Sequence, residues 1–362
     1  MSANSEASES ELAATGVCNI DGAADNTAHI TRVGHIAYHL ITEQCEGVVY
    51  AVFNSTFYLK ARLEATPTAK RSELADLNKR CNSKSSNNKS KSTQPPTDAC
   101  DNPDQPILFC CIGLAMLSPG PLNISTTLNQ IPDLSVGDTW KGDHNGITIG
   151  RFRLTLSQST VWHPVHKPPL SVPSRAVTEI LAQITGCCAT PRHSPSERLD
   201  NAINATLTQS TTQLYRWLRE PGIASHNAAF PVAMIGCGGG LTPAGDDIII
   251  GVLAGLFVWN RCQHAQLNTE VKQHLSHTSE LSAAHILCAC AGSAVEPLHR
   301  LIDAMLPDTV AKPGATQLHA AITEAADNLY RHGHSSGYFA MTGLLLAAQV
   351  QNGTGTNNIG GV

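Results

Sequence analysis

The sequence predicts an α+β protein, with a β-rich N-terminal domain at 28–168 followed by a mostly helical domain at 169–350. Three observations carry that prediction. Short apolar runs bounded by turn residues, such as Val48–Phe53 and Ile107–Ile112, fill the first half. Apolar residues recur at helical spacing in the second, as at Val177, Ile180, Leu181 and Ile184. Two glycine-bearing segments each lead into a nearly all-apolar stretch, which predicts two buried glycine-bearing helices.

The chain has 362 residues, more than the roughly 100–200 of one domain. A hydrophobic content of 42% supplies a sizeable core and excludes a wholly disordered chain. Lys plus Arg number 24 against 29 for Asp plus Glu, so no nucleic-acid partner is expected. The first thirty residues carry Glu6, Glu9 and Glu11 and no apolar signal core. The longest strongly apolar run, Ile248–Trp259, is too short for the roughly 20 residues of a membrane span. The reading is cytoplasmic, with no membrane partner. Twelve cysteines form no regular framework and no CxxC, so they read as structural thiols.

In chain order, 1–27 is Ser-, Ala-, Asn- and Glu-rich and reads as a flexible tail. Val48–Phe53 and Phe57–Leu59 read as two strands, or one interrupted at Asn54-Ser55. Residues 78–105 have almost nothing apolar to bury and read as a disordered, solvated insertion. Ile107–Ile112 resumes as a buried strand, Pro119-Gly120-Pro121 enforces a turn, and Ile147–Leu156 alternates in part like a strand. Pro168-Pro169 closes the domain; the pattern leaves barrel and sandwich both open.

Ser174–Ile184 begins the helical part. After Ser196 comes a long helix that Pro221-Gly222 stops. Leu275–Leu306 holds one or two helices with a break near Gly292, and Leu318–Leu329 another before Gly333. Residues 351–362 read as a C-terminal tail.

The strongest local signal is GCGGGLTPAGDD at 236–247, running straight into IIIGVLAGLF. Thr242 is placed to cap the next helix and Pro243 to occupy its first position. A buried helix start offers N–H groups to an anion, with Gly238, Gly239, Gly240 and Thr242 as substrate-binding candidates. The segment lacks the Gly-Lys-Ser/Thr ending of a P-loop, and no ribose-binding acid follows at dinucleotide-fold spacing. Three readings of Asp246 and Asp247 stay open: helix capping, substrate hydrogen bonding or proton transfer, and Mg²⁺. Adjacent helical residues point about 100° apart, so one carboxylate can face a pocket while the other packs. Asp247 is the preferred substrate-facing one. No resident cofactor is expected otherwise.

RHGHSSGYFAMTGLLLA at 331–347 repeats this grammar, and Gly245/Gly251 and Gly337/Gly343 share a spacing. The repetition suggests two helices meeting closely, their starts converging on one pocket. His334 would then serve as a hydrogen-bond donor or acid, beside Ser335, Ser336 and Gly337 as substrate contacts. A structural role for His334 competes with this. There is no GxSxG elbow and no HExxH zinc pattern.

The first motif resembles the GxGxGLTPxGDDxxxG signature of an uncharacterised bacterial domain family. That family includes the third subunit of the oxamate carbamoyltransferase of allantoin breakdown. The second motif is similar to that family's Gly-His-Thr/Ser-Ser-Gly segment, and 45–60 and 136–165 look like its β-rich half. The chain departs from the pattern at Cys237 and in the 78–105 insertion. The resemblance implies a subunit of a carbamoyl-transfer enzyme acting on a small anionic substrate, with other subunits as partners. It implies Asp247 and His334 as catalytic candidates and Asp246 within the site. An arginine clamp is not evident; Arg175, Arg192, Arg198 and Arg331 are candidates. A non-catalytic scaffolding subunit and a Mg²⁺-dependent phosphoryl-transfer or hydrolytic enzyme are the competing readings.

Overall fold

The computed structural model describes residues 27–62, 107–165, 172–188, 201–219, 229–306, 314–333 and 335–353. The 78–105 insertion, 1–26 and 354–362 lie outside them. Among the described residues nine strands form one sheet: β1 (Thr27–Gly34), β2 (Glu46–Val52), β3 (Thr56–Ala61), β4 (Phe109–Gly113), β5 (Asn123–Thr126), β6 (Thr139–Asp143), β7 (Gly146–Ile149), β8 (Phe152–Thr155) and β9 (Thr160–Trp162). The order β5-β4-β3-β2-β6-β7-β8-β1 closes on itself because β1 also pairs with β5. β8 pairs with the first part of β1 and β9 with its last part. The β-rich half is therefore a barrel, which settles what the strand pattern left open.

Period-2 patterning puts the barrel core inside. Phe57, Leu59 and Ala61 of β3 are buried in alternation, as are Trp140 and Gly142 of β6. Trp140 is accommodated at Gly47: its Nε1 donates to the Lys60 carbonyl at 3.2 Å, and a Cβ on Gly47 would come within 2.7 Å of that nitrogen. The first helix, α1 (His35–Thr42), buries Ala37, Leu40 and Ile41 against the barrel core. Sequence reading assigned no helix there, since eight residues hold too little periodicity and its burial comes from tertiary packing.

The rest is mostly helical: α2 (Arg175–Cys188), α3 (Asn201–Arg219), α4 (Ala244–Trp259), α5 (Arg261–Gln273), α6 (Glu280–Cys290), α7 (Glu296–Ala304), α8 (Ala315–Tyr330) and α9 (Ser336–Asn352). Gly292, at φ +78°, makes the break between α6 and α7. α5, which no clear apolar stripe announced, is capped by Asn260, whose side chain accepts from the Gln263 N–H. α9 extends to Asn352, into the segment expected as a tail. Among the described residues no helix is long and apolar enough to cross a membrane.

α4 and α9 form the centre. Every residue of α4 except Ile250 is buried, and α9 is buried from Gly337 to Val350. A Cβ on Gly251 would overlap the Ala340 carbonyl oxygen, and one on Gly343 would overlap that of Ile248. Each glycine thus admits the backbone of the opposite helix.

The barrel docks on α6 and α7. Ile107, Phe109 and Leu122 pack on Leu281, Ala284, Leu287 and Cys288. The Glu296 N–H donates to the Pro119 carbonyl at 2.8 Å, and Lys60 pairs with Glu280. Substituting Gly251→Ala or Gly343→Ala should destabilise the protein by about 1–3 kcal/mol through overpacking. Chemical denaturation measures this; unchanged midpoints would mean that the helices do not touch in this way.

Candidate functional site

The glycine loop folds back on the start of α4. Gly236, at φ +75°, lies so close to the His277 carbonyl that a side chain is excluded. The Gly245 N–H donates to the Cys237 carbonyl at 2.8 Å, and those of Asp246 and Asp247 to Pro243 at 3.0 and 3.1 Å. Pro243, not Thr242, stands at the N-cap, without a side-chain cap. The Thr242 hydroxyl instead bonds that of Ser336 across to α9 at 3.1 Å. Three of the first-turn amides expected to seat an anion, those of Gly245, Asp246 and Asp247, are therefore engaged within the protein.

Asp246 and Asp247 diverge. Asp246 is fully buried; Oδ1 accepts from the Gly236 N–H at 2.8 Å, and Oδ2 from Ser282 Oγ at 2.6 Å and from Thr278. It pins the glycine loop to the start of α6. Asp247 is 5% exposed, hydrogen-bonds Ser336, and leaves Oδ2 without a partner among the described residues. Burial pushes its carboxyl well above the ordinary carboxylate range, reinforced by the charge on Asp246 and opposed by Ser336.

Asp247 lines a cavity of about 480 Å³ in the seam between barrel and helices. Thr242, Ser336 and Gly337 share its wall, so both motifs open onto one space. Gly337 gives its N–H to the His332 carbonyl at 3.1 Å. The barrel contributes Tyr58, Cys111 and Asn123, and the helical part adds His285, Ser293 and His332. Burial pushes His285 down to about 4, with His332 adding to the effect, and lowers His332 as well, so both imidazoles are neutral near pH 7. Burial also pushes the Cys111 thiol up to about 12, which leaves it a poor nucleophile.

Not every expected residue is on this wall. Gly238, Gly239 and Gly240 are absent from it, with Gly239 and Gly240 exposed on the loop. Gly238, at φ +127°, passes close to the Ala244 nitrogen. Asp246 faces the protein, and Ser335 starts α9 with its carbonyl accepting from Phe339. His334, Arg192 and Arg198 lie outside the described residues. Arg175 pairs with Glu179 at 2.9 Å on an exposed face, whereas Arg331 stands exposed at the cavity and makes no ion pair among the described residues.

Sequence reasoning missed His285, Ser293, His332, Tyr58 and Asn123. Only His332 carried a signal, lying two residues before His334 in the same motif. With both oxygens of Asp246 committed to protein donors, the adjacent pair does not fit a shared Mg²⁺. Among the described residues no group of three His, Cys, Asp or Glu side chains is gathered as a metal site.

The two aspartates should answer mutation oppositely. Asp246→Ala orphans three donors at about 1–3 kcal/mol each, so a loss of at least about 3 kcal/mol is expected in chemical denaturation. Asp247, its folded pKa raised, binds a proton that the unfolded chain releases above about pH 4, so wild-type stability falls as pH rises from there. Asp247→Asn should therefore melt higher than wild type at pH 7, with the gap closing toward pH 4. A gap independent of pH would contradict this account.

Comparison with curated proteins and with solved structures gives no significant match. Residues 234–348, just under a third of the chain and the part that carries both motifs and most of the cavity wall, match the model of the family described as oxamate carbamoyltransferase subunit AllH.

Proposed function

We propose that this chain is a subunit of a carbamoyl-transfer enzyme and that the barrel–helix cavity is its reaction site. The reaction would interconvert oxamate plus carbamoyl phosphate with carbamoyl-oxamate plus phosphate. The observation that carries the reading is the buried Asp247 carboxyl on the cavity wall, one oxygen of which has no partner among the described residues.

Carbamoyl transfer needs a group that exchanges a proton with an amide nitrogen as that nitrogen gains or loses its bond to the carbamoyl carbon. In the transfer direction the oxamate nitrogen attacks that carbon, the carbon–oxygen bond to phosphate breaks, and Asp247 accepts the nitrogen's proton. In phosphorolysis a phosphate oxygen attacks, the carbon–nitrogen bond breaks, and neutral Asp247 returns a proton to the departing nitrogen. A carboxyl whose pKa is raised by burial suits both directions better than an exposed one. Ser336, bonded to Asp247 and to Thr242, fixes the orientation of the carboxyl. Neutral His332 and His285 offer N–H donors to charge developing on oxygen. Arg331 supplies positive charge for an anionic end. Partner subunits would supply whatever the cavity lacks, including further cations for phosphate. No step requires a metal.

A scaffolding subunit would not need an unpartnered buried acid in a cavity, since that acid costs stability. In the assembled enzyme, Asp247→Asn should lower turnover by about 10²-fold or more with the assembly intact. Size-exclusion chromatography and a steady-state assay read this together. Full turnover in an intact complex would support the scaffolding reading instead.

A further inference from the structure

We propose that Ser293 contacts the substrate and, with Asp247, holds the inner, amide-bearing end of the ligand. This deepens the carbamoyl-transfer reading of the cavity and rests on it. Ser293 is 2% exposed, lines the cavity, and its Oγ has no hydrogen-bond partner among the described residues. Asp247 Oδ2 is in the same condition on the same wall. Buried polar groups are nearly always satisfied, so two orphans on residues of one cavity wall point to a ligand that completes them.

The backbone presents this hydroxyl rigidly. Ser293 lies beyond the end of α6, where it does not fall back on a helical carbonyl as serines inside helices do. Gly292 turns the chain with a positive φ, and a Cβ there would overlap the Phe257 ring. The Ser293 N–H donates to Cys288 at 2.9 Å, and the Ala294 N–H to His299 Nε2 at 3.0 Å. Two residues further on, Glu296 is bonded to the barrel through Pro119. Ser293 thus stands at the junction that holds the two halves of the cavity together.

The chemistry of the two groups selects an amide. A hydroxyl and a carboxyl can each donate or accept, and an amide presents both N–H and C=O. A carboxylate presents acceptors only and would meet like charge whenever Asp247 is ionised. Arg331 stands at the exposed part of the wall, where an anionic end fits. The ligand would lie amide inward and anion outward, and Ser293 would help distinguish an amide from the isosteric carboxylate.

Titration calorimetry of the full chain with oxamate and with oxalate tests this. Ser293→Ala should weaken oxamate about tenfold, the loss expected for one neutral hydrogen bond, and leave oxalate unchanged. Arg331→Ala should weaken both alike. Ser293→Cys keeps most of the side-chain volume but is a weak donor, so it should lose the same preference while melting like wild type, even if the alanine variant is unstable. An undiminished preference in both Ser293 variants, with Asp247→Asn still erasing it, would overturn the Ser293 assignment alone. Equal or absent binding of the two probes by the unsubstituted chain would overturn the carbamoyl-transfer reading and this inference together.

Discussion

Gly251 lies against the Ala340 carbonyl and Gly343 against that of Ile248, so α4 and α9 touch backbone to backbone. The contacts climb both helices together, from Thr242–Ser336 through Gly251–Ala340 to Gly255–Ala347. The helices therefore run in the same direction and open at the same end. Side-by-side parallel helices bring like dipole ends together, which favours negative charge at their N-termini. Burial opposes charge on Asp247 at that very place. The carboxyl is caught between these two effects, a setting suited to exchanging a proton.

Two identical neighbours show how the fold divides structure from chemistry. Asp246 is surrounded by donors and fastens loop, helix start and α6 into one unit. Asp247, turned by one helical step, hydrogen-bonds Ser336 and lines the cavity. The glycine loop works with Asp246: its turns take up the Gly245, Asp246 and Asp247 amides, while Thr242, Asp247 and Ser336 line the cavity. With those three amides engaged, the cavity wall offers hydroxyls, imidazoles, one acid and Arg331.

Much of this was legible because the signals are local. The helical spacing of Leu318–Leu329, the break at Gly292 and the strands around Ile107–Ile112 depend on neighbours a few residues away. The pairing of the two motifs was legible too, since an unbroken apolar helix can only be buried. What stayed hidden is tertiary. Closure of the barrel rests on β1 bonding to β5 nearly a hundred residues later, and α1 is helical only where a barrel core receives it. Asn123 and Tyr58 reach the site because the barrel docks on α6 and α7, and no spacing in the sequence encodes that docking. Nothing in the sequence singles out Ser293 beside the Gly292 break; what marks it is a buried hydroxyl without a partner among the described residues.

The most direct measurement is a crystal structure of the full chain soaked with oxamate. Density for one molecule in the barrel–helix seam, within hydrogen-bond distance of Asp247 Oδ2, is the result this account predicts. An empty seam with the ligand bound elsewhere, or a seam closed by packed side chains, would contradict it.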